Sequence, residues 1–272
     1  MAKTFGPMHS DSIAGKFGGI TFRGHGSQKV VSGSKTSFRR RPALQAPWSP
    51  DDEPNLKFWH RIPDKCSFRT VGGQSFITSW GDKTSFGRNY IQAIDANQPE
   101  LISTPNQWMN RPYAKFDGVN DGMQSLIFTV SIPQPAMLFM IMTEPEVLLI
   151  RRQVWALNTT YTRGLRWDIT APDGYRLNLG AALLPGDYES QKLKLWTLIL
   201  NGASSALRFN NAAHGPSGNI GGEAINQLSI GFSVTMINWN KTKVFEDFCI
   251  SGAPSELTMT RAFKYAQLRY GI

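Results

Sequence analysis

Few side chains in this 272-residue chain are placed to do chemistry, and their spacing limits what they can do. Glycoside hydrolysis needs two carboxyl groups, about 5–5.5 Å apart when configuration is retained. The run nearest that need is Glu144-Pro145-Glu146, and Pro145 withholds a ladder hydrogen bond. The chain is therefore expected not to be an enzyme. Four histidines, His9, His25, His60 and His214, are scattered without metal-ligand spacing, and no catalytic triad or phosphate loop can be assembled. Asp82, Asp117 and Asp121 are more promising. In Phe116-Asp117-Gly118-Val119-Asn120-Asp121-Gly122, Asp117 and Asp121 are candidate ligands for Ca2+, which takes about six to eight oxygens. The alternative is that both carboxylates cap turn amides. No other cofactor is expected. Trp108, Tyr161 and Trp239 fall in expected loops beside Asn106, Asn158 and Asn238, a set able to stack on sugar rings and hydrogen-bond their hydroxyls.

The remaining chemistry is charge, and it is unevenly placed. Lys3, Lys16, Arg23, Lys29, Lys35, Arg39, Arg40 and Arg41 face the single acid Asp11 within residues 1–45, which carry +7 of the net +9. A basic arm of this kind seeks an anionic partner. Nucleic acid is not the expected one, because base stacking needs aromatics interleaved with the basic run and only Phe38 and Trp48 lie near it. Phe17, Ile20, Phe22, Val30 and Val31 give the arm an apolar side, which favours ordering on a neighbouring subunit over a solvated tail. Lys16, Arg23, Lys29, Arg39, Arg40 and Arg41 are the candidate anchoring residues.

The elements that must position these groups are mostly strands. Eight Trp among 11% aromatics, with 25 Gly and 16 Pro, suit strands joined by many turns. Ile20–Arg23 and Gln28–Val31 flank Gly24-His25-Gly26-Ser27 as a small hairpin. Pro42, Pro47, Pro50 and Pro54, with Asp51-Asp52-Glu53, read as an extended linker, so arm and linker are expected over 1–54 and one folded domain over 55–272. Phe76–Trp80, Tyr113–Phe116 and Met123–Ile132 read as strands. Met137–Met142 and Val147–Ile150 are continuous apolar runs, suited to strands buried on both faces. Period-two alternation follows at Arg166–Ile169, Tyr175–Leu179 and Gln227–Phe232, with Asp173-Gly174 as a turn between the first two. Val244–Ile250 is the expected final strand. Ser255 can cap a helix starting at Glu256, in which Met259, Ala262, Phe263, Ala266 and Tyr270 share one face. Cys66 and Cys249 are too few for a disulfide scaffold and are expected to be reduced, although first and last strands could bring them near each other. No apolar stretch reaches the roughly 18 residues that span a bilayer, and Met1–Pro7 has no apolar signal core, so assembly in a host cytoplasm is expected.

Trp80-Gly81-Asp82-Lys83-Thr84-Ser85-Phe86-Gly87, then Arg111-Pro112 and Phe116-Asp117-Gly118-Val119-Asn120-Asp121, resembles the opening of concanavalin-like and laminin-G-like sandwich domains of phage structural proteins. Trp196 to Asn201-Gly202, Leu228-Ser229-Ile230-Gly231 and the closing Tyr270-Gly271 are similar to later pieces of that pattern in the same order. A separate run, Gly15-Lys16-Phe17-Gly18 through Val30-Val31, is similar to the N-terminus of small phage proteins. The resemblance implies an all-β, two-sheet antiparallel jelly-roll sandwich with an extended N-terminal arm and a short C-terminal helix. Hydrolases of that fold carry an E-x-D-x-E strand that this chain lacks.

Together these readings lead to the expectation of a bacteriophage virion protein. Capsid decoration comes first, with the arm anchoring the sandwich to neighbouring capsid or tail proteins in a homo-oligomer. The alternative is a tail, baseplate or fibre component whose sandwich binds host-surface carbohydrate.

Overall fold

A computed structural model describes residues 15–17, 20–25, 28–33, 47–103, 110–143, 152–157, 163–167, 175–179, 192–219, 221–231 and 241–272. The chain divides into two compact units, Met1–Pro47 and Trp48–Ile272. In the first, β1 (Gly15–Phe17), β2 (Ile20–His25) and β3 (Gln28–Gly33) form an antiparallel sheet in that order, with β2 and β3 at the predicted hairpin.

Among the described residues, the second unit is all-β apart from short 3-10 turns and one closing helix. Its strands are β4 (Leu56–Arg61), β5 (Cys66–Val71), β6 (Gln74–Trp80), β7 (Tyr90–Ile91), β8 (Glu100–Ile102), β9 (Tyr113–Asp117), β10 (Met123–Ser125), β11 (Ala136–Thr143), β12 (Arg152–Ala156), β13 (Arg163–Trp167), β14 (Tyr175–Leu179), β15 (Leu193–Leu200), β16 (Ser205–Phe209), β17 (Ala212–Gly218), β18 (Ser229–Ile230) and β19 (Lys241–Ser251), followed by α1 (Glu256–Tyr270). They pair along one path running β14-β13-β12-β18-β10-β7-β6-β8-β9-β19-β11-β15-β16-β17, with β4 joined to β19 and β5 to β6. The path folds over itself, because Ile77 and Trp80 of β6, Met123 of β10 and Ile230 of β18 share one core with Leu138, Met140, Trp196, Leu198 and Cys249.

β11 lies antiparallel between β15, with which it pairs at all eight positions, and β19, against which the register shifts between Ile141 and Met142, and it is buried throughout. Its Leu138, Met140 and Met142 enter that first core; Met137, Phe139 and Ile141 enter a second, with Met259, Ala262, Ala266 and Tyr270 of α1. The uninterrupted apolar run is thus a strand covered on both faces, each fully buried side chain worth about 1.5–3 kcal/mol. α1 begins where the Ser255 hydroxyl accepts from the Thr258 amide at 3.3 Å, and it ends at Gly271, whose φ of +70° is the left-handed cap.

Three expectations need correction. The domain starts before residue 54: the Trp48 ring packs on Phe248 and Tyr265 at 6.3 and 5.9 Å, and its indole N–H donates to Glu53 at 3.0 Å. The acidic run is therefore part of the domain and not a linker. The strand expected at Met123–Ile132 stops at Ser125, because the Ser125 hydroxyl accepts from the Leu228 amide and donates to the Leu126 carbonyl, drawing the chain away from β7. Of the expected strand Gln227–Phe232, the described residues 227–231 form strand only at Ser229–Ile230, after which Gly231 turns with φ +86° and a Cβ there would meet the Phe116 ring at 2.3 Å. The run at 147–150 lies outside the described residues. Cys66 and Cys249 are free thiols packed on the first core, and burial pushes Cys66 up to about 12 and Cys249 higher still.

β19 also carries two adjacent acids, Glu246 and Asp247, both fully buried. Glu246 faces α1: its carboxylate accepts from Trp59 Nε1 at 2.5 Å, from the Tyr265 hydroxyl at 2.8 Å and from the Tyr270 hydroxyl. Burial raises its pKa against the pull of these donors. Replacing Glu246 by Ala strands three buried donors, and chemical denaturation should show a loss of about 3 kcal/mol or more; Tyr270→Phe, which removes one donor, should cost about 1–2 kcal/mol.

Candidate ligand-binding cleft

The loop joining β6 to β7 follows from the Trp-Gly-Asp triplet. Trp80 is fully buried, and at Gly81 a Cβ would stand 2.8 Å from the Lys65 carbonyl, which accepts the Gly81 amide at 3.0 Å. Asp82, 2% exposed, then accepts four hydrogen bonds: from the amides of Trp59 (3.0 Å), Thr84 (2.9 Å) and Arg88 (3.1 Å), and from the Thr84 hydroxyl (2.7 Å). Asn89 Oδ1 in turn accepts the Asp82 amide at 2.8 Å. An acid is required there because a short side chain with several lone pairs must satisfy four converging donors.

This loop presents Arg88, 7% exposed, with its guanidinium carbon 4.6 and 4.7 Å from the ring centroids of Phe86 and Phe128. The guanidinium donates to the carbonyls of Lys57 and, at 3.0 Å, Val130, so it ties β4 to the loop after β10. Burial lowers its pKa. Between the two loops opens a cleft of about 240 Å³ lined by Phe86–Asn89, Ile91 and Leu126–Val130. Five of its lining residues are exposed apolar side chains: Phe86, Ile91, Leu126, Ile127 and Val130. Among the described residues, the lining holds one cation, no carboxylate, and the polar side chains of Asn89 and Thr129.

Beneath the cleft sits a buried charge pair. His60 Nδ1 lies 2.8 Å from Asp247 Oδ1 and Nε2 lies 2.8 Å from the Arg88 carbonyl, while the Tyr90 hydroxyl donates to Asp247 Oδ2 at 2.7 Å. A carbonyl only accepts, so Nε2 carries a proton; with a carboxylate on Nδ1, the ring is an imidazolium. Burial works against that charge, and Asp247, with Asp82 further off, outweighs it to raise the pKa.

Among the described residues, the lining of this cleft includes none of the predicted site residues. Asp117 Oδ1 accepts the amides of Val119, Asn120 and Asp121 at 2.7, 3.1 and 3.3 Å, and Asp121 Oδ2 accepts the Asp117 amide at 2.9 Å. The turn-capping role is the one these carboxylates fill; among the described residues no group of three His, Cys, Asp or Glu is arranged for a metal. Burial, then Asp117, pushes Asp121 up to about 7. Lys16, Arg23 and Lys29 fall on β1, β2 and β3 of the other unit. Arg39, Arg40, Arg41, Trp108, Tyr161, Trp239, Glu144 and Glu146 lie outside the described residues. Sequence reasoning missed Glu246-Asp247, Arg88 and His60; an acid pair inside an otherwise apolar final strand was the available signal.

No family model matches the chain, and no curated protein does. Solved structures do. Trypanosoma rangeli sialidase in complex with sialic acid aligns with a TM-score of 0.55 and 15% identity over 80% of this chain and 34% of its own. The ligand-binding domain of botulinum neurotoxin serotype D in complex with N-acetylneuraminic acid gives 0.56 and 9% over 79% and 52%. An arabinofuranosidase complexed with arabinofuranosyl-alpha-1,2-xylobiose gives 0.55 and 14% over 80% and 60%. The chain spans about a third of the length of the sialidases, and at these identities the likeness is one of fold. It overturns the expectation that the chain is not an enzyme, which rested on a missing acid motif: sialidases and an arabinofuranosidase carry this fold.

Two outcomes follow. The His60 pair contributes stability that is complete below the imidazole's usual value of about 6.5 and is lost as pH rises through the raised one. Denaturation midpoints should therefore fall on the alkaline side, and His60→Gln should flatten that fall, while Asp121→Asn should remove a separate decline that the raised carboxyl gives as pH climbs from about 4 to about 7. Arg88→Lys keeps the charge but not the fork between two carbonyls, so amide exchange at residues 126–130 should quicken about tenfold or more.

Proposed function

We propose that the Trp48–Ile272 unit is a carbohydrate-binding sandwich and that the chain is a virion component anchored by its basic N-terminal unit. The sugar-binding half is carried by the fold, which is shared with proteins solved in complex with sialic acid, N-acetylneuraminic acid and an arabinosylated xylobiose. One sandwich hosts many activities, so the likeness supports a ligand class and no particular glycan. A second observation supports the virion half: +7 of the net +9 charge sits in residues 1–45, whose strands make a separate compact unit. On a repeating particle, weak arm contacts add up to firm attachment through avidity. Capsid decoration is the first position for such a component, with neighbouring capsid proteins as partners; tail or baseplate is the second, with a host glycan as ligand.

On an array of sialylated, arabinosylated and unsubstituted glycans, the full chain should bind a subset saturably; a blank array contradicts the sugar half. Release of free sugar from a bound glycan would extend the reading to a glycosidase. Deleting residues 1–45 should leave the sandwich folded and glycan binding intact while abolishing retention on the particle, and unchanged retention contradicts the anchoring half.

A further inference from the structure

We infer that the cleft between the Phe86–Ile91 and Leu126–Val130 segments binds one acidic sugar ring, with Phe86 and its aliphatic neighbours taking the ring's apolar face and Lys57 its carboxylate. This rests on the carbohydrate reading above and adds a location and a ligand class. Eleven large apolar side chains are exposed among the described residues, and five of them line this one cleft. Such clustering marks a contact site, not the ordinary scatter of surface hydrophobics. At about 240 Å³ the cleft is smaller than the roughly 300–1,000 Å³ of drug-sized pockets, a scale suited to a single ring.

Charge selects the occupant. Among the described residues the lining contains no acid, and Lys57, next to the lining rather than in it, holds its Nζ 5.6 Å from the Phe86 ring centroid and makes no ion pair with a described residue. Arg88 is held by two carbonyls and two rings, so it sets a positive field and leaves pairing to Lys57. The Asn89 amide nitrogen and the Thr129 hydroxyl make no hydrogen bond among the described residues and stand at the cleft surface, ready for ring hydroxyls. A neutral sugar would leave the ammonium unmatched, and an aliphatic peptide would leave the ammonium, amide and hydroxyl all unmatched.

The test is calorimetric titration of the full chain with free N-acetylneuraminic acid, glucuronic acid and neutral N-acetylglucosamine. The wild type should prefer the acidic sugars. Lys57→Gln should erase that preference and weaken acidic-sugar binding about tenfold, Phe86→Ala should weaken it comparably, and Phe68→Ala, an exposed aromatic on β5, should change nothing. Thermal unfolding of each variant checks that the fold is kept. Acidic-sugar binding that survives both cleft substitutions overturns this location while leaving the carbohydrate reading standing. A preference for the neutral sugar overturns the ligand class, and no sugar binding by the wild type overturns both readings. Self-association lost in Phe86→Ala, without sugar binding, would give the cleft to a second copy of the chain.

Discussion

Residues 246 and 247 are neighbours on a strand whose sheet is covered on both sides, so their side chains leave for opposite faces and both are cut off from water. Burying a carboxylate costs several kcal/mol unless its lone pairs are met, and here each acid gathers the partners that define one layer. Glu246 takes Trp59 from β4 and Tyr265 and Tyr270 from α1, which fixes the helix on the outer face. Asp247 takes His60 from β4 and Tyr90 from β7, which fixes the opposite side of the sandwich. The same two residues of β4, Trp59 and His60, alternate in step with the acids, since β4 and β19 pair antiparallel with His60 opposite Asp247.

From that spine the geometry reaches the cleft in two steps. The His60 imidazolium donates to the Arg88 carbonyl, and the Arg88 side chain then bridges the Lys57 and Val130 carbonyls between two aromatic rings. Asp82 holds the other end of the same loop through Trp59, the residue that also serves Glu246. The walls of the cleft are therefore set by buried polar groups whose alternatives are unsatisfied donors, which fixes loops that their own backbone ladders do not. A surface site built this way keeps exposed apolar side chains such as Leu126 and Ile127 in place without collapsing onto them.

Much of the fold was legible because it follows period and punctuation. The continuous run at Met137–Met142 read as a doubly buried strand, and Ser255 with Gly271 bracketed the helix. The Trp-Gly-Asp and Asn-Gly turns fell between strands. What failed was decided by long-range partners. Met123–Ile132 reads as a strand, yet the Ser125 hydroxyl and residues 225–228 turn its second part into a loop and so create the cleft wall. Trp48 read as linker because its contacts, Phe248 and Tyr265, lie some two hundred residues away. The cleft itself was invisible: nothing in the spacing of Phe86, Asn89, Leu126 and Thr129 places them together, and their types carry no motif. The acid pair on β19 is visible in the sequence, but a hydrolase pair needs two carboxylates on one face, and adjacent residues of a strand never share one.

The most direct test of the cleft as an acidic-sugar site is a crystal structure of the full chain grown with a sialylated trisaccharide. The account predicts density for the terminal ring between Phe86 and Leu126, its carboxylate within salt-bridge reach of Lys57 and its hydroxyls on Asn89 and Thr129. Terminal-ring density at another surface of the sandwich, with this cleft empty or filled by a neighbouring copy, would contradict it.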